Sequence, residues 1–213
     1  MKPQILLIHG FNVWDGGQQT VGELRGYFAA LGCPYHILDY GHFGLLDTRF
    51  KNDNVARRAA RFINDAKQPV IVVSHSNGSA ITYLAMSLYG ANPAHCVFIN
   101  PALDNRIALP SNCPTVDVWH SPSDAPVKLT NFLKVPAAFR PWGAMGSTGY
   151  LLDDPRVRNY NKETGFSVSS SAHSDVFQTE KLSYFGPLIA GLALARMTHD
   201  EKLVTATFGP LPV

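Results

Sequence analysis

The sequence predicts an α/β chain, a parallel sheet wrapped by helices, and three observations carry that prediction. Short apolar runs alternate with stretches of helical periodicity. The run Val70-Ile71-Val72-Val73 is β-branched throughout, as a strand buried on both faces tends to be. It ends in Ser74-His75-Ser76-Asn77-Gly78 and passes at once into a helical pattern, so strand and helix meet at a tight bend.

The elements follow in order. The first strand is Ile5 to Ile8. Thr20-x-x-Glu23 forms a capping box and opens a helix whose apolar face is Val21, Leu24, Phe28 and Leu31, closed by Gly32. His36 to Tyr40 reads as the second strand. Val55, Ala59, Phe62 and Ala66 line one face of the next helix, with Arg57, Arg58 and Arg61 mostly off it. Those arginines are either an anion patch or, more simply, a solvated helix face. After Val70–Val73 comes a helix with Ile81, Leu84, Ala85 and Leu88 on one side and Gly90 at its end. Val97-Phe98-Ile99 and Val116 to Trp119 are further strands, and a last one falls within Val157 to Tyr160. Two helical stretches complete the chain, broken at Gly186-Pro187.

A length of 213 residues suits one domain over residues 1–213, with the tail from about residue 199 left open. Hydrophobic residues at 46% and charged residues at 16% describe a folding, globular chain. A net charge of +2 gives no electrostatic basis for a nucleic-acid partner. Cys33, Cys96 and Cys113 are odd in number and lack metal-ligand spacing, so neither a disulfide framework nor a metal site is expected. Reduced thiols fit a cytoplasmic protein. The apolar start is too short for a signal-peptide core, and Leu188 to Met197 is too short to span a membrane.

The bend at Ser76 carries the chemistry. A strand entering a helix this abruptly holds its apex residue in a strained conformation, with the side chain clear of the sheet. The flanking positions must be small, and here they are Ser74 and Gly78. The usual pattern is G-x-S-x-G, so Ser74 is a departure. The amide of Asn77 opens the helix, where unpaired N–H groups favour negative charge. Read only as local structure, the same residues are a glycine-rich turn. A second donor is the N–H of Phe11, or of Asn12, in His9-Gly10-Phe11 after the first strand. That loop could instead cradle phosphate, but no matching glycine motif is present. His9 itself supports the loop.

A serine needs a base. His173, in Ser-Ser-Ala-His-Ser-Asp just before a helix, is the best-placed of eight histidines. His120 is second, His75 should point away from its neighbour, and His36, His42, His95 and His199 read as surface or loop residues. Asp124, in a turn directly after a strand, would orient the base. Asp104 is the alternative acid, and Asp175 serves the helix that follows it.

The order Ser76, Asp124, His173, together with the donor loop after the first strand, resembles the α/β-hydrolase superfamily from Ile5 to about Met197. Ser74-His75-Ser76-Asn77-Gly78 is similar to the elbow of small lipase-like esterases. The resemblance implies a reduced sheet of about six mostly parallel strands, flanked by helices on both faces, without a cap domain. It implies a serine hydrolase of carboxylic esters with no cofactor, acting on a small-molecule ester through an acyl-enzyme. A thioesterase or amidase would use the same groups, and a non-catalytic binding module could share the fold. Only about fourteen residues separate the strand ending near Asn100 from the next, which leaves an open site suited to short or exposed acyl groups. Phe139, Trp142 and Met145 in the long connection after Val127 either rim an acyl pocket or pack on the sheet.

Overall fold

A computed structural model of the protein describes residues 1–132, 141–163 and 173–198. Six strands form one sheet: β1 (Gln4–Ile8), β2 (Tyr35–Ile37), β3 (Val70–His75), β4 (His95–Ile99), β5 (Val116–His120) and β6 (Val157–Asn161). They lie in the order β2-β1-β3-β4-β5-β6, every neighbouring pair parallel. The helices are α1 (Arg25–Ala30), α2 (Leu45–Asp65), α3 (Asn77–Tyr89), α4 (Ala125–Phe132), α5 (Met145–Thr148) and α6 (Thr179–Thr198).

Strand periodicity explains why the central runs are apolar without a break. Successive side chains point to opposite faces, and here both faces are covered. Leu6, Ile8, Val70, Val72, Phe98 and Val118 face a core with α2 and α3. Ile5, Leu7, Ile71, Val73, Val97 and Ile99 face the other core, with α1 and α6. The distribution of helices follows from crossover handedness. The step from β1 to β2 runs opposite to the steps from β2 to β3 and from β3 to β4. Right-handed crossovers then put α1 on one face and α2 and α3 on the other. The reversal lies between β1 and β3, where open α/β sheets form their crevice at the carboxyl edge.

Several local expectations change. Thr20 makes no side-chain cap, and the predicted helix begins as a 3₁₀ turn over Val21–Leu24. The Thr20 hydroxyl donates to the carbonyl of Gly17 at 3.3 Å instead. Leu31 and Leu88 are exposed, one at the end of α1 and one in the last turn of α3. β2 begins at Tyr35 and stops at Ile37, because the Asp39 N–H turns back to the Ile37 carbonyl and its carboxylate accepts from Gly41. Gly186-Pro187 does not break the last helix, as α6 runs through both. A proline inside a helix costs about 3 kcal/mol. Leu188, Ile189 and Leu192 are buried next to it, and each such burial returns about 1.5–3 kcal/mol. Gly186 is needed there because a Cβ would collide with the ring of Tyr27.

His95 is not a surface residue. It is fully buried in β4, with Nδ1 2.8 Å from Thr115 Oγ1 and Nε2 3.3 Å from the carboxylate of Asp117, which also accepts from Arg196 Nε at 3.1 Å. His36 and His42 are at the surface, stacked on Phe62 and Trp14. His199 and the tail after it lie outside the described residues. Arg57, Arg58 and Arg61 are exposed on α2, the first two bonded to Tyr89 and to the Asp39 carbonyl. No helix among the described residues is long and apolar enough to cross a membrane.

Candidate functional site

β3 delivers Ser76 to the carboxyl edge of the sheet. The backbone there is strained, with φ +53° and ψ −121°, a region that costs a non-glycine residue about 1–3 kcal/mol. The surroundings hold it: the Ser76 N–H donates to Ile99 O at 3.1 Å, and its carbonyl accepts from Ser79 and Ala102, each at 3.1 Å. Gly78 is obligatory for the bend. A Cβ there would collide with the carbonyl oxygen of Ile8 and approach that of His9 to 2.8 Å. Ser74 takes the place of the usual glycine without leaving a polar atom stranded, since its hydroxyl lies 3.1 Å from Ser79 Oγ.

The chain after β1 folds over this bend. Gly10 lies so near that a Cβ would come within 3.0 Å of Ser76 Cβ and 3.4 Å of its Oγ. The Tyr40 hydroxyl reaches the carbonyls of His9 at 2.8 Å and Gly10 at 2.6 Å, and His9 stacks on the Tyr40 ring. Burial holds that phenol in its donating form by raising its pKa. His9 therefore supports the loop, as its sequence position suggests. The main-chain N–H of Asn12, the alternative donor, is spent elsewhere: it donates to Phe43 O at 2.9 Å. Phe11 follows Gly10 in this loop, and Asn77 follows Ser76 as the first residue of α3.

Asp124 directly precedes α4 and is fully buried. Its Oδ1 caps the helix, accepting from the Val127 N–H at 3.1 Å, and its Oδ2 accepts from Asn100 Nδ2 at 2.7 Å. His173 Nδ1 lies 2.9 and 3.0 Å from the two oxygens. Burial alone would raise the Asp124 pKa, but the bonds from His173, Val127 and Asn100 outweigh it and hold the carboxyl below its ordinary range. An ionised Asp124 fixes the Nδ1–H tautomer of His173. Nε2 is then the acceptor, and it stands 2.9 Å from Ser76 Oγ. Asp104 is exposed and binds the N–H of Arg106, away from this chain of bonds. His120 is half-buried at the end of β5, with its pKa lowered by burial.

Several residues around the site carry no obvious sequence signal or differ from their sequence expectation. Asn100, at φ +44°, turns the chain after β4 and holds Asp124. Asn52 of α2 pairs reciprocally with the Asn77 amide, at 2.8 and 3.0 Å. Asp175 stands in the first turn of a short 3₁₀ helix, Asp175–Phe177, but its carboxylate is buried and spent on lysines: Lys162 Nζ reaches it at 3.0 Å, and Lys181 binds it too. A lysine just past an edge strand reads as solvent-exposed, yet Lys162 is 2% exposed. Glu163 ties the same segment to the Ser121 hydroxyl and to the Ser123 N–H. His75 points toward His173, which is taken up below.

Of the residues expected to rim an acyl pocket, Trp142 is half-buried, donates from Nε1 to Asn77 Oδ1 at 2.9 Å and lies 5.4 Å from the Phe11 ring. Its indole N–H is committed, so it offers the site an apolar face. Met145 is fully buried in the α2–α3 core and does not line an open cavity. Phe139 lies outside the described residues. Among the described residues no three His, Cys, Asp or Glu side chains are grouped to hold a metal ion.

Comparison with known proteins gives a consistent answer. Residues 5–202 match the alpha/beta hydrolase family. No curated protein matches the chain. Among solved structures, lipase B of Aspergillus fumigatus superposes with a TM-score of 0.61 at 16% identity, over 99% of this chain and 57% of that one. The chain thus spans little more than half of that lipase. The monoacylglycerol lipase of Paleococcus ferrophilus gives 0.59 at 12% identity, over 92% and 96% of the two chains. Mouse alpha/beta hydrolase domain-containing protein 10 gives 0.56 at 11%, over 90% of each. At these identities the likeness is one of fold.

Proposed function

The chain belongs to the alpha/beta hydrolase family, and from that premise we propose that it cleaves carboxylic esters with Ser76 as nucleophile, His173 as base and Asp124 as the carboxylate that orients it. The observation that carries this reading is the unbroken run of bonds from Ser76 Oγ to His173 Nε2 at 2.9 Å and from His173 Nδ1 to Asp124 at 2.9 Å.

Ser76 attacks the ester carbonyl while His173 Nε2 takes its proton. Asp124 stays ionised and stabilises the imidazolium without accepting the proton. The carbonyl oxygen becomes an oxyanion, met by the N–H groups of Phe11 and Asn77. Such donors are already aimed before the charge develops, and one is worth about 3–4 kcal/mol. His173 then gives its proton to the leaving alcohol. Water then attacks the acyl carbon while losing a proton to His173, and as the ester bond to Ser76 breaks His173 returns that proton to Ser76 Oγ and the acid leaves.

Substrate size follows from what surrounds the bend. The connection from Asn100 to Val116 contains no helix, so it carries no helical cap over the bend. Phe11 and Trp142 supply an aromatic wall on one side. This favours short acyl groups or the exposed end of a larger ester. The test is a fluorophosphonate probe with peptide mapping, alongside turnover of short-chain nitrophenyl esters. The adduct should sit on Ser76, and Ser76→Ala should lose on the order of 10⁶-fold in kcat. An adduct elsewhere, or undiminished turnover by the variant, would overturn the proposal.

A further inference from the structure

His75 immediately precedes the proposed nucleophile, but its side chain does something else. Strand alternation puts it on the face of Ile71 and Val73, the face covered by α6 and the segment before it. There its Nε2 lies 2.9 Å from the main-chain carbonyl oxygen of His173. The two imidazoles are 4.8 Å apart, and Phe177 packs edge-on against His75 at 5.0 Å. His75 is 2% exposed.

The carbonyl can only accept, so Nε2 must carry the hydrogen. The other nitrogen, Nδ1, is buried with no bonding partner among the described residues, and it faces Gly10, which has no side chain to offer. Leaving a buried polar atom unpaired costs about 1–3 kcal/mol. A phenylalanine would fill this place without that cost, so what the imidazole adds here is its one bond.

The bond has a direct geometric consequence. The ring of His173 is tied to Asp124 and to the Ser76 hydroxyl, and the chain two residues on is tied to Lys162 through Asp175. None of these ties holds the main chain of His173 itself to β3. The His75 bond joins the main chain of the base to the strand that carries Ser76, one residue from the nucleophile itself.

We infer that His75 is a positioning residue for His173, its Nε2–H fixing the main chain of the base against the strand that ends in Ser76. This rests on the reading of Ser76 and His173 given above. Burial, reinforced by the adjacent His173, pushes the His75 pKa down to about 3, in keeping with a neutral ring that donates from Nε2.

Two variants and one measurement on the unaltered protein test this. His75→Phe keeps the ring and removes the donor. His75→Gln keeps an N–H at the same number of bonds from the main chain. Misplacement of a reacting group by an ångström costs up to about 100-fold, so His75→Phe should lose about 10- to 100-fold in kcat with KM nearly unchanged. His75→Gln should recover most of that loss. Nitrogen-15 spectra of the wild-type histidines should show His75 as the neutral Nε2–H tautomer from pH 8 to 5. Full kcat in His75→Phe, equal losses in both folded variants, or an Nδ1–H tautomer would each overturn the inference. Wild type that takes no label at Ser76 would instead overturn the proposed reaction, and this inference with it.

Discussion

The Asp124 carboxylate is fully buried and receives hydrogen bonds from a helix N–H, from the Asn100 amide and from His173. Asp104 also follows a strand by a few residues, but it spends its side chain on a local turn in solvent. The two therefore separate cleanly in one experiment. Asp124→Asn keeps the volume but offers His173 Nδ1 an amide, which disturbs the tautomer that Ser76 requires. It should lower kcat by about 10⁴-fold, and Asp104→Asn should leave turnover within about twofold. Parallel ester kinetics on the two variants read the outcome directly. Equal effects would remove Asp124 from the mechanism.

At the scale of elements, the passage from β3 into α3 is the feature with least tolerance. α3 begins so close to the end of β1 that its second residue can have no side chain. A methyl at Gly78 would press on two carbonyl oxygens of β1 and the loop after it. Those oxygens belong to the segment that runs on into Gly10 and Phe11, so strain there is passed to the proposed oxyanion donors. Gly78→Ala should cost at least about 2 kcal/mol of stability and lower the rate of fluorophosphonate labelling at Ser76. Urea denaturation and labelling kinetics on the same variant check both parts. α6 shows the opposite balance. Its proline is tolerated because the burial of neighbouring apolar side chains outweighs the lost hydrogen bond.

For the whole molecule, the site makes stability depend on pH with a definite sign. His9 and His75 are buried, and burial lowers both pKa values from 6.5, that of His75 to about 3. The folded protein keeps these rings neutral, while the unfolded chain takes up protons as pH falls below 6.5. Stability then falls with pH, by about 1.4 kcal/mol per unit for each group fully engaged. For His75 the window runs from about 6.5 down to about 3. Asp124 adds to it lower down: its contribution is complete above the ordinary carboxylate range and is lost as pH falls through its lowered folded value. Urea midpoints at pH 7, 6 and 5 should decline steadily, and His75→Phe should decline less steeply. A flat profile across that range would contradict buried neutral imidazoles.

The amino-acid sequence by itself determined the layers of this protein. Apolar runs between amphipathic stretches can bury both faces of their strands only as a parallel sheet, and Ser74 to Gly78 can make only a cramped turn at its edge. Positions along the chain also singled out Ser76, Asp124 and His173, because each follows a strand or precedes a helix at that same edge. Contacts across the fold were not written in any local pattern. His95 reads as a surface or loop residue until β4 and β5 bring it beside Asp117, and Met145 reads equally as rim or packing residue until the fold buries it. Lys162 and Asp175 are paired only by the fold. The side of β3 taken by His75 follows from strand alternation, but what waits there depends on where residues almost a hundred positions later come to rest. Local preferences act over a few residues. Hydrogen bonds and burial between distant segments exist only once the chain has closed on itself, and they choose among the candidates that the sequence supplies.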